Sequence, residues 1–375
     1  MLKILHCGDI HLDSPFSLLD REEGSRRRDE LRRTFLEMLQ FARREEVALV
    51  LISGDLFDHG FATADTLKLL CDAFSAMEDC HFVITPGNHD AAIAGSAYLS
   101  SCFPPNVKIF TDETLDYIDY DDLGLRIWGY GFTADRLEQS PLAAYLATGG
   151  KLTAEGKTAL LCGHADLGAP LSKYAPISGS DLAASGLCYA ALGHTHNPPE
   201  PQRFGDTLAA YCGCLVGRSY DEIGFGGAIL LSLEDGKIAD WQRIPLARRQ
   251  YRIDDVEVEG AAADADVIAA VKDHLARAGY GEETALRIRI TGATDPAYTP
   301  DLDAVCTACR GSLWQFEMQD HTLPVWGSDY LARDPSIRGA LYRTLLPAMQ
   351  NGSPEERSRA TAALRLGLAA LEGRL

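Results

Sequence analysis

From Leu2 to Leu233 the chain alternates short apolar runs with stretches of helical periodicity, and this alternation is what most limits the folds open to it. The runs are Leu2–Cys7, Ala48–Ser53, His81–Thr85, Leu125–Gly129, Thr158–Cys162, Cys188–Leu192, Leu208–Cys212 and Gly227–Leu233. Strand-length apolar segments separated by helices are the signature of an α/β domain. The helical stretches include Arg28–Glu45 and Thr63–Met77. In the first, Leu31, Phe35, Leu39 and Ala42 recur at three- and four-residue spacing and form one apolar face. The opposite face carries Arg26, Arg27, Arg28, Arg32, Arg33, Arg43 and Arg44 among Glu22, Glu23, Glu37, Glu45 and Glu46. Such a face reads first as a solvated, ion-paired surface and second as a contact for a phosphate backbone.

At 375 residues the chain has a natural length for two domains. Its character changes near Pro245–Gln250, which divides an expected first domain over residues 1–248 from a smaller one over residues 249–375. Beyond the change come alternating apolar residues (Tyr251, Ile253, Val256, Val258), an alanine-rich helix over Ala261–Ala278, a strand over Ala285–Ile290, and then mostly helix. The last helix opens with Ser353-Pro354-Glu355-Glu356, a cap followed by proline and acids in the first turn. Leu364, Leu368, Leu371 and Leu375 form an apolar stripe along it.

The charge balance, 35 Lys+Arg against 54 Asp+Glu for a net −19, excludes broad attraction to nucleic acid or an anionic membrane. A polyanionic substrate must then be held by a local basic patch or by bound cations. No run of 18 apolar residues offers a membrane span, and Met1–His6 reads as a first strand rather than a signal peptide. The ten cysteines are scattered, several inside apolar runs, and read as reduced, buried thiols of a cytoplasmic protein. Cys306-Thr307-Ala308-Cys309 is a single CxxC without a second pair or a nearby histidine, so helix packing is its first reading.

The residues that carry chemistry stand just past the apolar runs. Asp9 and His11 follow the first, Asp55 the second, Asn88, His89 and Asp90 the third, His164 the fifth, and His194 and His196 the sixth. A glycine directly before the polar residue lets the backbone turn tightly at the strand end, where open α/β sheets bind their ligands. In Asp9-x-His11, residues two apart in an extended segment point the same way and can reach one ion. Together the set Asp, His, Asp, Asn, His, His, His mixes oxygen and nitrogen donors, which suits Mn²⁺, Fe²⁺ or Zn²⁺ better than Ca²⁺ or Mg²⁺. Seven donors exceed the needs of one tetrahedral ion and fit two ions that share a carboxylate.

On these residues the chain resembles the calcineurin-like metallophosphoesterases, and within them the bacterial DNA-repair exonucleases of the SbcD and YhaO type. The likeness rests on Asp9-x-His11, Gly54-Asp55-Leu56-Phe57-Asp58, Gly87-Asn88-His89-Asp90, Gly163-His164 and Gly193-His194-Thr195-His196. The opening Leu5–Phe16 and the segment from Tyr211 through Gly217-Arg218-Ser219-Tyr220-Asp221-Glu222 look like the exonuclease branch. The motifs cover residues 1 to about 245. The resemblance implies that Asp9, His11 and His196 hold one metal, that Asn88, His164 and His194 hold the other, and that Asp55 bridges. It also implies that His89 stabilises developing charge or protonates the leaving oxygen, and that Asp90 orients His89. The arginine of the phosphatase branch is missing from Asp58-His59-Gly60, and Asp58 is given no catalytic role. His59 is a candidate for the mouth of the site.

The fold implied is a four-layer sandwich, two mixed β-sheets flanked by helices, with a smaller C-terminal α/β cap. The activity implied is phosphodiester hydrolysis on DNA with two divalent ions, Mn²⁺ foremost, by a nuclease subunit working with a coiled-coil ATPase or as a homodimer. The alternatives are a phosphodiesterase for small or cyclic nucleotides, which the charge favours, and a non-catalytic scaffold with a relic site. The Leu364–Leu375 stripe reads first as packing within the cap and second as a contact for the ATPase.

Overall fold

Strand β1 (Leu2–Cys7) buries Ile4 on one face and Leu5 and Cys7 on the other, so it needs cover on both sides. A computed structural model describes the chain apart from residues 18, 60, 61, 101, 102, 154, 296, 297, 325, 326, 372, 374 and 375. It divides into two units, Met1–Gln250 and Tyr251–Leu375.

In the first unit, β1 is followed by α1 (Arg21–Arg44), β2 (Leu49–Ser53), α2 (Ala64–Ser75), β3 (His81–Thr85), α3 (Ala97–Ser100), β4 (Val107–Ile109), β5 (Asp116–Tyr120), β6 (Leu125–Gly129) and α4 (Pro141–Ala147). Then come β7 (Thr158–His164), α5 (Gly179–Ser185), β8 (Tyr189–Gly193), β9 (Gln202–Phe204), β10 (Thr207–Tyr211), β11 (Gly224–Glu234) and the long β12 (Lys237–Glu257). One sheet runs β12-β11-β1-β2-β3-β4, with β1 to β4 parallel and β11 antiparallel to β1. The other runs β5-β6-β7-β8-β10-β9, parallel in the middle with antiparallel edges.

Between the two sheets, Ile4, Leu49, Leu51 and Val83 meet Ile127, Leu160, Tyr189 and Ala191. Outside the first sheet, Leu31, Phe35 and Leu39 of α1 and Leu70 and Phe74 of α2 cover Leu5, Val50, Ile52 and Phe82. Outside the second, Leu142 of α4 and Leu182 of α5 cover Leu161, Ala190 and Leu192. These are the four layers expected, two mixed sheets flanked by helices. Phe74 is fully buried, its ring 4.4 Å from that of Phe82 and 6.2 Å from that of Phe35. Phe74→Ala is expected to cost about 3–5 kcal/mol, read as a lowered urea midpoint at unchanged slope.

Several elements differ from the sequence reading. Helix α1 begins at Arg21, seven residues ahead of the expected start, because the Asp20 carboxylate accepts the Glu23 N–H at 2.9 Å and caps a first turn too charged to show periodicity. Its arginines are not one solvated face. Arg26 pairs with Glu22 at the surface, but Arg27 is fully buried, bonded to Glu30 and to the Gly217 carbonyl. Strands β4, β5 and β9 are short and partly exposed, so no continuous apolar run marks them in the sequence. Pro245 and its neighbours lie inside β12 rather than in a break.

The second unit holds the last part of β12, α6 (Asp264–Ala278), β13 (Thr284–Thr294), α7 (Leu302–Cys309), β14 (Gln315–Pro324), α8 (Ser328–Arg333), α9 (Ile337–Asn351) and α10 (Pro354–Leu371). Strand β14, parallel to β13 along its length, was expected to be helix; its sequence, Gln315-Phe316-Glu317-Met318-Gln319-Asp320-His321, hides an alternation with only weakly apolar members. The last helix starts as expected, with Ser353 and Glu356 exchanging side-chain-to-backbone bonds. Leu364 and Leu368 pack on Leu331 and Tyr342, Leu371 is 45% exposed, and Leu375 lies outside the described residues. Cys309 packs with Val305 and Val271. The described cysteines are free thiols, and no helix among the described residues is long and apolar enough to cross a membrane.

Candidate metal centre

Strands β1, β2 and β3 run parallel to one another, as do β7 and β8 in the other sheet, and their C-terminal ends carry the polar residues singled out above. The chain past β1 does not stay extended. Asp9 (φ 46°) and His11 (φ 52°) are both left-handed, and the segment lies against the turn after β2 through Asp9 N–H to Gly54 O (3.0 Å) and His11 N–H to Asp55 O (2.9 Å). Asp55 (φ 51°) and His194 (φ 103°) are left-handed too. Non-glycine residues rarely take this conformation, and its clustering at one place marks a functional site. The shared direction of Asp9 and His11 therefore comes from two tight turns rather than from strand alternation. Gly87 serves space, since a Cβ there would stand 2.2 Å from Asp55 Oδ1; Gly54 serves both space and rotation, with φ 93° and a Cβ position 2.2 Å from His164 Nδ1.

All seven candidate ligands meet. Nε2 of His11 faces Nε2 of His196 at 3.2 Å, and Asp9 Oδ1 lies 3.6 Å from the latter. On the other side, His164 Nε2 is 2.9 Å and His194 Nδ1 3.2 Å from Asn88 Oδ1, with the two ring nitrogens 3.3 Å apart. Asp55 stands between, its Oδ2 3.8 Å from His11 Nε2 and 3.5 Å from His164 Nε2, while its Oδ1 accepts the His89 N–H at 3.0 Å. Asp9, His11, Asp55 and His164 are buried; His194 and His196 are about a fifth exposed.

The far nitrogens of the rings are engaged. His164 Nδ1 donates to Ser53 O (3.0 Å), His196 Nδ1 lies 2.7 Å from Glu222 Oε1, and His194 Nε2 lies 3.4 Å from Asp166 Oδ1. His11 Nδ1 has Asp58 Oδ1 at 3.1 Å, off the ring N–H axis. Lone pairs of four imidazoles are thus turned inward upon two carboxylates and an amide oxygen. Such an acceptor-rich, buried group calls for cations, and the donor set fits two divalent ions. Burial works to raise the Asp55 carboxyl pKa, but His164, His11 and His89 more than offset it and hold it below the usual range.

A sequence model of the calcineurin-like phosphoesterases matches residues 2–198. The chain belongs to that family. It is 28% identical over 251 residues to the metallophosphoesterase YhaO of Bacillus subtilis, covering 64% of this chain and 60% of that one. It is 29% identical over 270 residues to the DNA double-strand break repair protein Mre11 of Aeropyrum pernix, covering 68% and 63%. The matches thus span about three-fifths of the length of either relative. Among solved structures, a dimetal phosphatase from Danio rerio aligns over 62% of this chain and 93% of its own at 12% identity and a TM-score of 0.39.

In this phosphoesterase the role expected for Asp90 needs correction. Its carboxylate accepts from the N–H groups of Phe57 (3.0 Å) and Gly87 (2.7 Å) and from Tyr98 OH (2.5 Å), so it braces the two loops behind the site rather than orienting the His89 ring. Its burial, and then the charge of Asp55, raise its pKa to about 6. The His89 ring sits exposed at the mouth, with Nδ1 donating to the Asp58 carbonyl at 3.3 Å. His59 is also at the mouth, 68% exposed and 3.5 Å from Asp58. His6, given no role, is buried between the sheets against Tyr189 and Ser53.

The sequence reading assigned nothing to Glu222, Arg218 or Asp166 and kept Asp58 out of the site. Asp166 repeats, two residues past His164, the spacing of Asp9 and His11, a signal that was there to use. Glu222 and Arg218 lie past the last histidine pair, in a segment where no local pattern marks either as part of a metal site. Burial raises the Glu222 pKa, yet His196 and Arg218 outweigh it and leave it at about 2. The ring of Tyr174 covers His194, with centroids 4.6 Å apart.

Proposed function

We propose that this phosphoesterase hydrolyses phosphodiester bonds of DNA as a nuclease dependent on two divalent ions, Mn²⁺ foremost. The reading is carried by Asp55 Oδ2, which lies between two trios of donors and within 3.8 Å of an imidazole from each. Similarity to Mre11 of Aeropyrum pernix favours DNA over other phosphodiesters.

In this reading Asp9, His11 and His196 would hold one ion, Asn88, His164 and His194 would hold the other, and Asp55 would serve both. Bound there, the ions supply an activated water and the positive charge a phosphoryl group requires. The protein's own part is to fix the donors and to handle the leaving group. His89 is tied to the centre through its N–H on Asp55 Oδ1, and its ring is steadied by Nδ1 on the Asp58 carbonyl. That leaves Nε2 to face the substrate, and a proton carried there passes to the leaving oxygen. Tyr98 and Asp90 hold the Asp55 and His89 loops together.

Residues 1–248 then form the nuclease domain and residues 249–375 a cap that binds a partner, a coiled-coil ATPase or a second copy, in the cytoplasm. The net charge of −19 favours a second reading, a phosphodiesterase for small or cyclic nucleotides. A donor set with no member lost counts against a scaffold with a relic site. The deciding experiment assays linear DNA beside a cyclic nucleotide and a chromogenic phosphodiester, each with Mn²⁺. Cleavage of DNA at a rate above background supports the nuclease; turnover of the small substrates alone supports the second reading, and no turnover at all supports the scaffold.

A further inference from the structure

The two histidines proposed for the first ion are each faced by a carboxylate at the far ring nitrogen. Glu222 Oε1 lies 2.7 Å from His196 Nδ1, and Asp58 Oδ1 lies 3.1 Å from His11 Nδ1. These carboxylates come from loops far apart in the chain, yet one guanidinium joins them. Arg218 donates through Nη1 to Asp58 Oδ1 (2.8 Å) and through Nη2 to Glu222 Oε1 (2.6 Å), with Nε adding a contact to Glu222 at 3.1 Å. Its own backbone N–H reaches Glu222 Oε2 at 2.6 Å.

We propose that Arg218 is the positioning residue for this half of the centre, setting the orientation and tautomer of His11 and His196 together through Asp58 and Glu222. The inference rests on the ligand assignment made above. Its physics is simple. Two ionised carboxylates brought close under low solvent access repel each other, and a forked cation between them removes the conflict. The Glu222 carboxylate, kept charged and in place, holds a proton on His196 Nδ1, and the Asp58 charge 3.1 Å from His11 Nδ1 favours a proton there by its field, off the ring N–H axis. The Nε2 lone pairs of both rings are then left to point at one spot, 3.2 Å apart. A ring nitrogen held by an oriented carboxylate is also a stronger donor at its other nitrogen.

The rest of the local structure holds Arg218 where it is. Buried Arg27, on α1, donates to the Gly217 carbonyl at 2.7 Å, one residue upstream. The Glu222 N–H closes a turn onto Ser219 O at 3.0 Å, and Ile223 N–H bonds Asn197 Oδ1 at 2.9 Å, next to His196. With both arms of its fork on carboxylates, Arg218 is engaged in the protein rather than available to a phosphate. The second trio uses other anchors: His164 rests on the Ser53 carbonyl and His194 on Asp166. Loss of Arg218 therefore acts on one ion and spares the other.

The test is Mn²⁺ titration of the chelator-stripped full chain by calorimetry, on the parent protein, Arg218→Ala and Arg218→Lys. Nitrogen-15 histidine spectra of the metal-free proteins report the tautomers. The parent is expected to bind two ions, and Arg218→Ala to weaken one of them by about 10–100-fold while the other keeps its affinity. Arg218→Lys, which retains a cation and guards against loss of the fold, should show the same one-ion defect in milder form, because a point charge cannot serve two carboxylates as a fork does. In the spectra, His11 and His196, protonated at Nδ1 in the parent, should become tautomer mixtures in Arg218→Ala, while His164 keeps its Nδ1 proton on the Ser53 carbonyl. Unchanged affinity for both ions, or an equal loss of both, overturns the positioning role. A parent that binds fewer than two ions overturns the ligand assignment itself, and the inference with it.

Discussion

Asp55→Asn is expected to lose both metal ions and to lower phosphodiester turnover by about 10²–10⁴-fold. The carboxylate is fully buried, with Oδ2 placed between His11 and His164 and Oδ1 held by the His89 N–H. An amide at this place has one oxygen for two tasks. If that oxygen keeps the backbone bond, the NH₂ group is turned towards the ions and presents hydrogens where lone pairs were. If it turns inward, the His89 N–H is abandoned in a buried site. Either way the negative charge proposed to serve two cations is gone, so both sites should weaken together. Elemental analysis after gel filtration and hydrolysis of a chromogenic phosphodiester provide the measurement. Two ions retained with near-normal turnover would mean the bridge lies elsewhere.

His89→Ala is expected to part chemistry from metal binding. The ring stands at the mouth, 4.9 Å from the His11 ring between centroids, and engages the protein through Nδ1 on the Asp58 carbonyl. Its hydrogen bond to a candidate ligand comes from the backbone N–H, and alanine keeps that N–H. Both ions should therefore remain, while turnover on DNA falls by about 10²–10⁴-fold, the usual contribution of a positioned acid. A substrate with a good leaving group needs no proton on the departing oxygen, so its rate should fall much less. Metal content and the two rates are measured on one preparation. Loss of metal along with activity would make His89 a ligand, and equal loss on both substrates would assign it to charge stabilisation rather than to proton transfer.

Much of the architecture was open to reading because apolar runs and their order are local properties. Runs such as Leu2–Cys7, His81–Thr85 and Leu125–Gly129 are strands with the bounds read from the sequence, since strands covered on both faces must be apolar throughout. The edge strands β5 and β9 and the cap strand β14 were missed for the converse reason: a strand covered on one face, or on neither, has no such run. The strand-end places of Asp9, Asp55, Asn88, His164 and His194 were equally legible, because a residue just past a buried parallel strand can emerge only at the C-terminal edge of the sheet.

What the sequence by itself determined was the α/β class of the first unit and which polar residues reach that edge, both from hydrophobic pattern and chain direction; the four-layer arrangement was implied by the family resemblance. Only the tertiary structure decided how those residues are held. Arg218 meets Asp58 across 160 positions, and Arg27 meets Gly217 across 190; no local pattern marks either pair. Asp90, adjacent to His89, turns away to brace two loops, and Asp9 and His11 come together through left-handed turns that depend on the neighbouring 54–56 segment. Side-chain direction at such places is set by what the backbone and the facing loops leave free, and that becomes defined only when distant parts of the chain are packed against one another.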